Sequence, residues 1–533
     1  MSVVMQTCGA ILFYMQSIDG LISPLNSTVK SEIFPHSVKG VGNGFCVICE
    51  AITLIISNQV YIHVIVLENL GLAFNFVLFA VTLAILAAVV YFWLGNWLPN
   101  SMLFLTQAHH EPSLTLEQCT HLTTFNEMGK ILSILGGGYV ANKFGRKKIL
   151  IFMVSVNFIS WILLCSSTSI MFIYLARCLA GSPEGLFSVI GSISVAELSS
   201  PKYRGLFSSI LSVSFNLGLL FEAFLSAVFS SYKMLNLVNA AVSFCSMPTV
   251  LWFLESPYYL VHSHNARKAE NNLRKVRPVS SEASFRKEFD AIKESVEGQG
   301  SLAEEEGRWW QLLKKKPIRK ALFCSVVVSL TPAVSGNPQI RMFMSVVFPS
   351  NEFVSNSSYP LVFYAAAFAG SLLSILVLKY SPRRLLGIVS CAIVCILHCV
   401  ICACCFFYEQ NGDPLWKWAF LGCNLFLVAL QAAIFTPLFD ALRAEILPYS
   451  VREMGNSFGL VIRSLVLMAS YRLFILMNES VGLFSNYIFF AVCAAMATVF
   501  AYALLPETTG KSLTDVQREL ENNNRGKRVV EKY

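Results

Sequence analysis

Charged residues are scarce in this chain. Only 14% of its 533 residues are charged and 55% are hydrophobic, whereas a typical soluble domain carries about 25% charged residues. This composition excludes an ordinary soluble domain and predicts a membrane protein. The 16 cysteines are scattered through apolar segments without the spacing of a metal site or a disulfide framework. We interpret them as small apolar residues.

Long apolar runs recur along the chain. Residues 149–167 and 484–505 are each near the ~20 residues that an apolar helix needs to cross a bilayer. By this criterion the chain holds about fourteen candidate spans. From residue 71 onward they form two groups of six, separated at about 259–316 by a stretch of alternating acids and bases. We expect that stretch to form short cytoplasmic helices and the whole chain to be an all-α polytopic membrane protein.

Lysine and arginine are missing from alternate loops, which predicts an orientation. The basic residues cluster in the other loops, for example around Arg146 and Arg384, and basic loops face the cytoplasm. The sequons at Asn356 and Asn478 fall on the opposite side and are candidate glycosylation sites. The positive charge is thus explained by the lipid bilayer and needs no nucleic-acid partner. The loops without Lys or Arg are 107–125, 166–171, 347–360 and 477–483.

Six motifs fall in order at predicted helix ends. They are GGGYVANKFGRKK (136–148), ARCLAGSPEG (176–185), AELSSPKYRG (196–205), LESPYYL (254–260), AEILPYSVRE (444–453) and LPETTGKSL (505–513). Together they resemble the sugar porter family of the major facilitator superfamily, and FNLG at 215–218 is most similar to its insect trehalose-transporter-like branch. The resemblance implies two six-helix halves that rock about a mid-membrane site. It also implies a transporter rather than an enzyme, without a cofactor or metal.

An internal repeat complicates this layout. Residues 31–45 and 444–458 share eight of fifteen positions. The first copy resembles the last helices of a second, truncated porter that flows into a hybrid first helix. A fused gene model and a genuine chain with extra N-terminal spans both remain open. The predicted regions are a partial duplicate (1–69), an N-terminal half (70–258), a cytoplasmic helical loop (259–316), a C-terminal half (317–510) and a cytoplasmic tail (511–533).

Charged residues near the cytoplasmic loops resemble the gating network of the family. The alternative is that they anchor helix ends to lipid headgroups. The acid of the first loop is Asn142 here and its second-half counterpart is Lys379, so each network lacks one partner. Gly136, Gly137, Gly138, Gly181 and Gly185 are interpreted as sites of close helix approach. The network candidates are Arg146, Arg177, Glu197, Arg204, Arg384, Glu445, Arg452 and Arg463.

The polar residues that sugar porters use for binding are largely replaced. Pro332 and Ala333 stand where the family has a glutamine pair. Asp440 aligns with its tenth-helix Trp and Arg463 with its eleventh-helix Asn, and we predict that these two charges pair because intramembrane charges usually face a cavity and pair. For the polar candidates the alternative role is a hydrogen bond within or between helices. The substrate-binding candidates are Ser212, Asn216, Ser335, Asn337, Gln339 and Asp440.

The resemblance implies facilitated transport of a sugar, a hexose or trehalose, by alternating access. It further implies a multi-pass protein of the plasma membrane with a cytoplasmic C-terminus. The alternative class is a paralogue of the same fold that carries another solute or transports nothing. The missing glutamine pair is the feature that separates the two.

Overall fold

The structure is a computed structural model. It describes residues 97–106, 114–166, 169–198, 204–229, 231–251, 254–276, 282–305, 316–348, 358–447 and 452–507. All of them belong to the unit Gly71–Tyr533. The predicted duplicate at 1–69, the start of the hybrid helix and Asn356 lie outside the described residues. Within these ranges the chain forms helices and short connections and contains no β-strand, which confirms the all-α prediction.

The helices fall into two groups joined by a polar linker. The first group is α1 (Trp97–Thr106), α2 (Leu116–Phe144), α3 (Arg146–Ser166), α4 (Ile170–Leu198), α5 (Arg204–Val228) and α6 (Tyr232–Leu251). The linker holds α7 (Pro257–His262), α8 (Ala266–Val276) and α9 (Glu282–Glu305). The second group is α10 (Lys316–Leu330), α11 (Asn337–Val347), α12 (Tyr359–Tyr380), α13 (Arg383–Asn411), α14 (Pro414–Leu430), α15 (Thr436–Ile446), α16 (Arg452–Ser480) and α17 (Leu483–Leu504).

Six segments of the described chain are long and apolar enough to cross a membrane. Others, such as the 29-residue α2, carry charges like Glu127 and Lys130 in their middle, and part of the chain lies outside the description. Helices α10 and α11 are also too short, with 15 and 11 residues. The described residues therefore show fewer separate spans than the fourteen expected. The six segments are Arg146–Ser166, Tyr359–Leu378, Arg383–Asn411, Pro414–Arg443, Met454–Ser480 and Leu483–Leu504.

The linker forms a small folded unit of its own. Leu260, Leu273, Phe285 and Ile292 are buried against one another, as the apolar positions of amphipathic helices predict. Arg274 of α8 donates to Glu282 of α9 at 2.6 Å, and this hydrogen bond holds the pKa of the Glu282 carboxyl below its usual range. The expected helical linker is therefore present.

Two helices of the second group are interrupted where proline removes backbone donors. Between α10 and α11 the segment Thr331–Gly336 is non-helical, and it contains Pro332 and ends at Gly336 with φ +83°, a conformation that glycine adopts without strain. Between α14 and α15 the turn Gln431–Phe435 is π-helical and precedes Pro437 by two residues. Irregular turns of this kind free backbone groups and re-aim side chains.

The largest contacts between the two groups are those of α2 with α16, α5 with α12, and α1 with α11, and α4 makes a smaller contact with α16. Ser345 of α11 donates to the carbonyl of Pro99 in α1 at 3.3 Å. Arg472 of α16 lies 3.4 Å from Glu117 at the start of α2. The interior between the halves is therefore bordered by α1, α2 and α5 on one side and by α11, α12 and α16 on the other.

Glycines set the close packing of α2 on α4. A Cβ on Gly129 would collide with the carbonyl of Cys178, and one on Gly181 with the carbonyl of Asn126. Gly185 likewise faces the backbone of Lys130. The interpretation as close-approach glycines thus holds for Gly181 and Gly185 but is wrong for Gly136, which has nothing within 4 Å of its Cβ position.

We expect Gly129→Ala to separate α2 from α4 and to destabilise the protein by about 1–3 kcal/mol, the usual range for overpacking a tight contact. Gly136→Ala is the matched control on the same helix, because its added methyl group meets open space. Thermal unfolding of both variants in detergent tests this. Equal midpoints for the two variants would contradict the packing described for α2 and α4.

Candidate functional site

The break between α10 and α11 gathers polar side chains in the second half. The carbonyl of Ser335 accepts hydrogen bonds from His398 Nε2 at 2.9 Å and from Gln431 Nε2 at 3.2 Å. Ser335 Oγ donates to Pro332 within the break. The helix break leaves the buried Ser335 carbonyl without a partner in its own helix. Side chains of α13 and of the π-helical turn supply the hydrogen bonds that a buried backbone group requires.

Gln339 ties this break to α16. Its amide nitrogen donates to the carbonyl of Ala333 at 2.8 Å and to Ser470 Oγ at 2.7 Å. Gln339 has no solvent exposure, so both bonds form in an apolar interior where hydrogen bonds are strong. The glutamine that the family places before Ser335 is replaced by one four residues after it.

Several amide oxygens here lack donors. Asn337 Oδ1, Gln339 Oε1 and Gln431 Oε1 are buried without a hydrogen-bond partner among the described residues. Leaving such acceptors unpaired costs roughly 1–3 kcal/mol each. This part of the second half can therefore accept hydrogen bonds from donors that the described residues do not supply.

In the first half a cluster of charges lies between α2 and α4. Lys130 Nζ is 2.7 Å from Glu127 Oε1 and 2.6 Å from Glu184 Oε1. Asn126 donates to the second oxygen of Glu184 at 3.2 Å. These are charge-assisted hydrogen bonds, about twice as strong as neutral ones, and they neutralise a lysine in the middle of a long helix.

Arg177 lies beside this cluster and away from the helix ends. Its guanidinium donates to Asn126 Oδ1 at 3.1 Å and stacks over the Trp97 ring at 5.1 Å. Trp97 in turn donates to Asn236 at 2.7 Å. Arg177 is 2% exposed. The structure thus separates it from the other network candidates of the first half.

A cavity of about 50 Å³ opens at this cluster, room for only a few water molecules. Its walls come from both halves, since Met342 of α11 and Tyr471 of α16 face the charged residues of α2 and α4. Tyr471 follows directly after Ser470, the partner of Gln339. The lining residues are Leu98, Pro99, Thr123, Asn126, Glu127, Lys130, Arg177, Glu184, Met342 and Tyr471.

The two candidates on α5 are joined to each other. Asn216 donates to the backbone carbonyl of Ser212 at 3.0 Å, one helical turn earlier. Its Oδ1 atom is buried and has no partner in the described part of the chain. This is the intrahelical bond given as the alternative role, and it leaves one acceptor on Asn216 unsatisfied.

Asp440 and Arg463 lie together, as expected, but share their contact with a third residue. Asp440 Oδ1 is 3.5 Å from Arg463 Nη1 and 3.6 Å from Arg443 Nη1. The Asp440 side chain is 43% exposed, against 9% for Arg443. The group therefore carries a net positive charge and is partly open, rather than an enclosed one-to-one pair.

At the end of the bundle that carries Arg146, here called the basic end, two of the first-half network candidates contact each other. Arg146 Nη2 is 2.9 Å from Glu197 Oε1. Glu255, in the motif after α6, accepts from the backbone nitrogens of Arg146 at 2.8 Å and of Lys147 at 3.3 Å. A carboxylate at the N-terminus of α3 satisfies unpaired amides and the helix dipole together.

The second half repeats this arrangement. Glu507 accepts from the backbone nitrogens of Arg383 at 3.2 Å and of Arg384 at 3.1 Å at the start of α13. The Arg384 guanidinium donates to the carbonyl of Tyr502. Helices α3 and α13 therefore begin on equivalent acids, and the two halves share this detail despite their different sequences.

Some candidates are described only in part. Arg204, Glu445 and Arg452 lie in helices, but their side chains are outside the described structure. Asn478 is exposed near the end of α16, away from the basic end. The roles of these residues stay predictions.

Comparison with known proteins gives the family. The profile described as "Sugar (and other) transporter" matches residues 97–520. The chain belongs to this sugar transporter family. Among its relatives, Myo-inositol transporter 2 of Schizosaccharomyces pombe is 23% identical over 75% of this chain and 74% of its own. Facilitated trehalose transporter Tret1 of Bombyx mori is 20% identical over 79% of this chain and 82% of its own.

Solved structures show the fold. The proton:xylose symporter XylE bound to 6-bromo-6-deoxy-D-glucose superposes with a TM-score of 0.69 at 17% identity, covering 83% of this chain and 99% of that one. A double Trp mutant of XylE gives a TM-score of 0.70 with the same identity and coverage. The expected major facilitator fold is therefore confirmed.

The sequence interpretation missed several residues that this sugar transporter brings together. The predicted site did not include Glu127, Lys130 or Glu184. An acid and a base three residues apart within an apolar helix, such as Glu127 and Lys130, are a recognisable signal of an intramembrane polar site. Gln431 and His398 offered no pattern, because only the helix breaks bring them to Ser335. The acids in LESPYYL and LPETTGKSL were visible in the motifs, but their role as helix caps was not.

We expect Asp440→Asn to lower stability by no more than about 1 kcal/mol, because the acid is partly exposed and its attraction to both arginines is screened. Arg443→Gln should recover more of this loss than Arg463→Gln, since Arg443 is the more deeply buried partner. Thermal midpoints of the single and double variants form two mutant cycles. Strict additivity in both cycles would contradict the contacts at Asp440.

Proposed function

We propose that the chain carries a neutral polyol, a hexose, trehalose or inositol, by facilitated alternating access between its two halves. Membership of the sugar transporter family supports this. The observation that carries it is the set of buried amide oxygens at the helix breaks of the second half. Sugar hydroxyls are donors that fit such acceptors, and the apolar residues around them suit the faces of a sugar ring.

Two further features of the structure support this proposal. The polar cavity lies between the halves and in the middle of α2 and α4, where major facilitator proteins bind their solutes. Because its volume is small in this structure, binding of a sugar requires the halves to move apart at one end. The helix caps at Glu255 and Glu507 give both halves the same support at the basic end.

The competing possibility is a member of the fold that carries another solute or none. The missing glutamine pair favours it. Gln339 and Gln431 favour sugar binding, because they bring two amides back to the break by a different route. An uptake measurement decides between the two.

We expect oocytes that express the chain to take up radiolabelled D-glucose, trehalose or myo-inositol above background. Gln431→Leu should reduce uptake at low sugar concentration by roughly tenfold, as loss of one good hydrogen bond predicts. The carbonyl of Ser335 keeps its bond from His398 in this variant, so the break should survive. Gln410→Leu, at an exposed glutamine of α13, is the control. Background uptake of all three sugars by wild-type protein at the cell surface would refute sugar transport.

We also propose that the protein spans the plasma membrane with its basic end in the cytoplasm, as the distribution of Lys and Arg predicts. Asn356 and Asn478 would then face outside and be open to glycosylation. In a glycosylating cell line, deglycosylation should increase the gel mobility of the wild type, and less so that of an Asn478→Gln variant. Modification of a sequon engineered at the basic end would contradict this orientation.

A further inference from the structure

Glu127 has one carboxylate oxygen that no described residue uses as a hydrogen-bond acceptor. Its Oε1 contacts Lys130, whereas its Oε2 is buried and without a hydrogen-bond partner among the described residues. The side chain is only 4% exposed, and it lines the cavity between the halves. A buried carboxylate oxygen without a donor is more costly than an unpaired amide oxygen.

The surroundings of Glu127 argue against a purely structural ion pair. Lys130 already has Glu184 at 2.6 Å, so one carboxylate would be enough to neutralise it. The second acid instead faces Met342 and Tyr471 across the cavity. It lies on the wall that the first half presents to the second.

Charge balance around the cavity favours an uncharged ligand. Among the lining residues, Lys130 and Arg177 offset Glu127 and Glu184. A ligand with a net charge would leave an unbalanced charge in a low-dielectric interior, which is unfavourable. A hydroxyl group adds a donor without adding charge, and a hydroxyl bonded to a carboxylate makes a short, strong hydrogen bond.

We propose that Glu127 is a sugar-binding residue contributed by the first half, and that its free oxygen accepts a hydroxyl of the transported polyol. Lys130, held by Glu184, is a positioning residue that fixes the orientation of the Glu127 carboxylate. This inference rests on the proposed transport of a polyol. The amides at the helix breaks do not line the cavity at Glu127 in this structure. The inference places the sugar between Glu127 and those amides once the halves have moved apart, so that each half holds it.

The test is a mutant cycle between the protein and its substrate. Inhibition of labelled sugar uptake is measured for D-glucose, or for whichever of the three sugars is carried, and for each of its monodeoxy analogues. Wild type, Glu127→Gln and Glu127→Asp are compared at equal surface expression. Glu294→Gln, at an exposed acid of α9, makes the same chemical change away from the bundle.

In the wild type, one deoxy analogue should bind roughly tenfold more weakly than the parent sugar. In Glu127→Gln the same analogue should bind less than about twofold more weakly than the parent sugar, because the charged acceptor of that hydroxyl is already gone. Losses at the other hydroxyls should be unchanged, and Glu294→Gln should behave as wild type. Glu127→Asp keeps the negative charge on a shorter side chain, so the loss of affinity for that analogue should lie between those of wild type and Glu127→Gln.

Two results would overturn the inference, and they differ from each other. For each deoxy analogue, the loss of affinity relative to the parent sugar could be the same in wild type and in both Glu127 variants. That result would show that Glu127 contacts no substrate, while sugar transport stands. No uptake of any of the three sugars by surface-expressed wild type would remove the proposed function, and the subsite with it. A merely structural role for Glu127 would weaken all analogues alike and would not select one hydroxyl.

Discussion

Lys130 can lie in the middle of a membrane-embedded bundle because Glu184, on the neighbouring helix α4, reaches its ammonium group at 2.6 Å, beside Glu127 at 2.7 Å. An unpaired charge at mid-membrane costs about 2.5–3.5 kcal/mol on insertion scales and more in simulations. Glu127 comes from the same helix, but Glu184 must approach from α4. The glycines at 129, 181 and 185 allow that approach, because any side chain there would hold the two backbones apart. Helix packing and charge neutralisation are therefore one constraint.

The two halves meet this constraint in different ways. The first half neutralises full charges within a regular pair of helices. The second half uses irregular helices. The freed carbonyl of Ser335 accepts hydrogen bonds from His398 and Gln431, while the Gln431 amide oxygen has no partner among the described residues. The likeness of the halves is clearest at the basic end, where Glu255 and Glu507 each begin a helix in the same manner. The two halves are thus alike in how α3 and α13 begin at the basic end, and they differ in the polar residues of their interiors.

Much of the architecture was predictable from the sequence. Apolar runs, basic loops and six ordered motifs indicated the all-α major facilitator fold. The Asp440–Arg463 contact followed from the rule that intramembrane charges pair. Its sharing with Arg443 did not, since the side-chain geometry on one helix turn decides it. The side chains that gather at the break come from α11 (Gln339), α13 (His398) and the π-helical turn (Gln431), and no local pattern encodes their meeting.

The central claim is that both halves hold one sugar at their interface. A cryo-electron microscopy structure of the protein in nanodiscs, with the carried sugar at saturating concentration, tests it most directly. The account predicts density for one sugar ring between α2 and α11, with a hydroxyl at the Glu127 carboxylate and others at Gln339 or Gln431. Density for the sugar outside the interface between the halves, or at the interface without contact to either group, would contradict it.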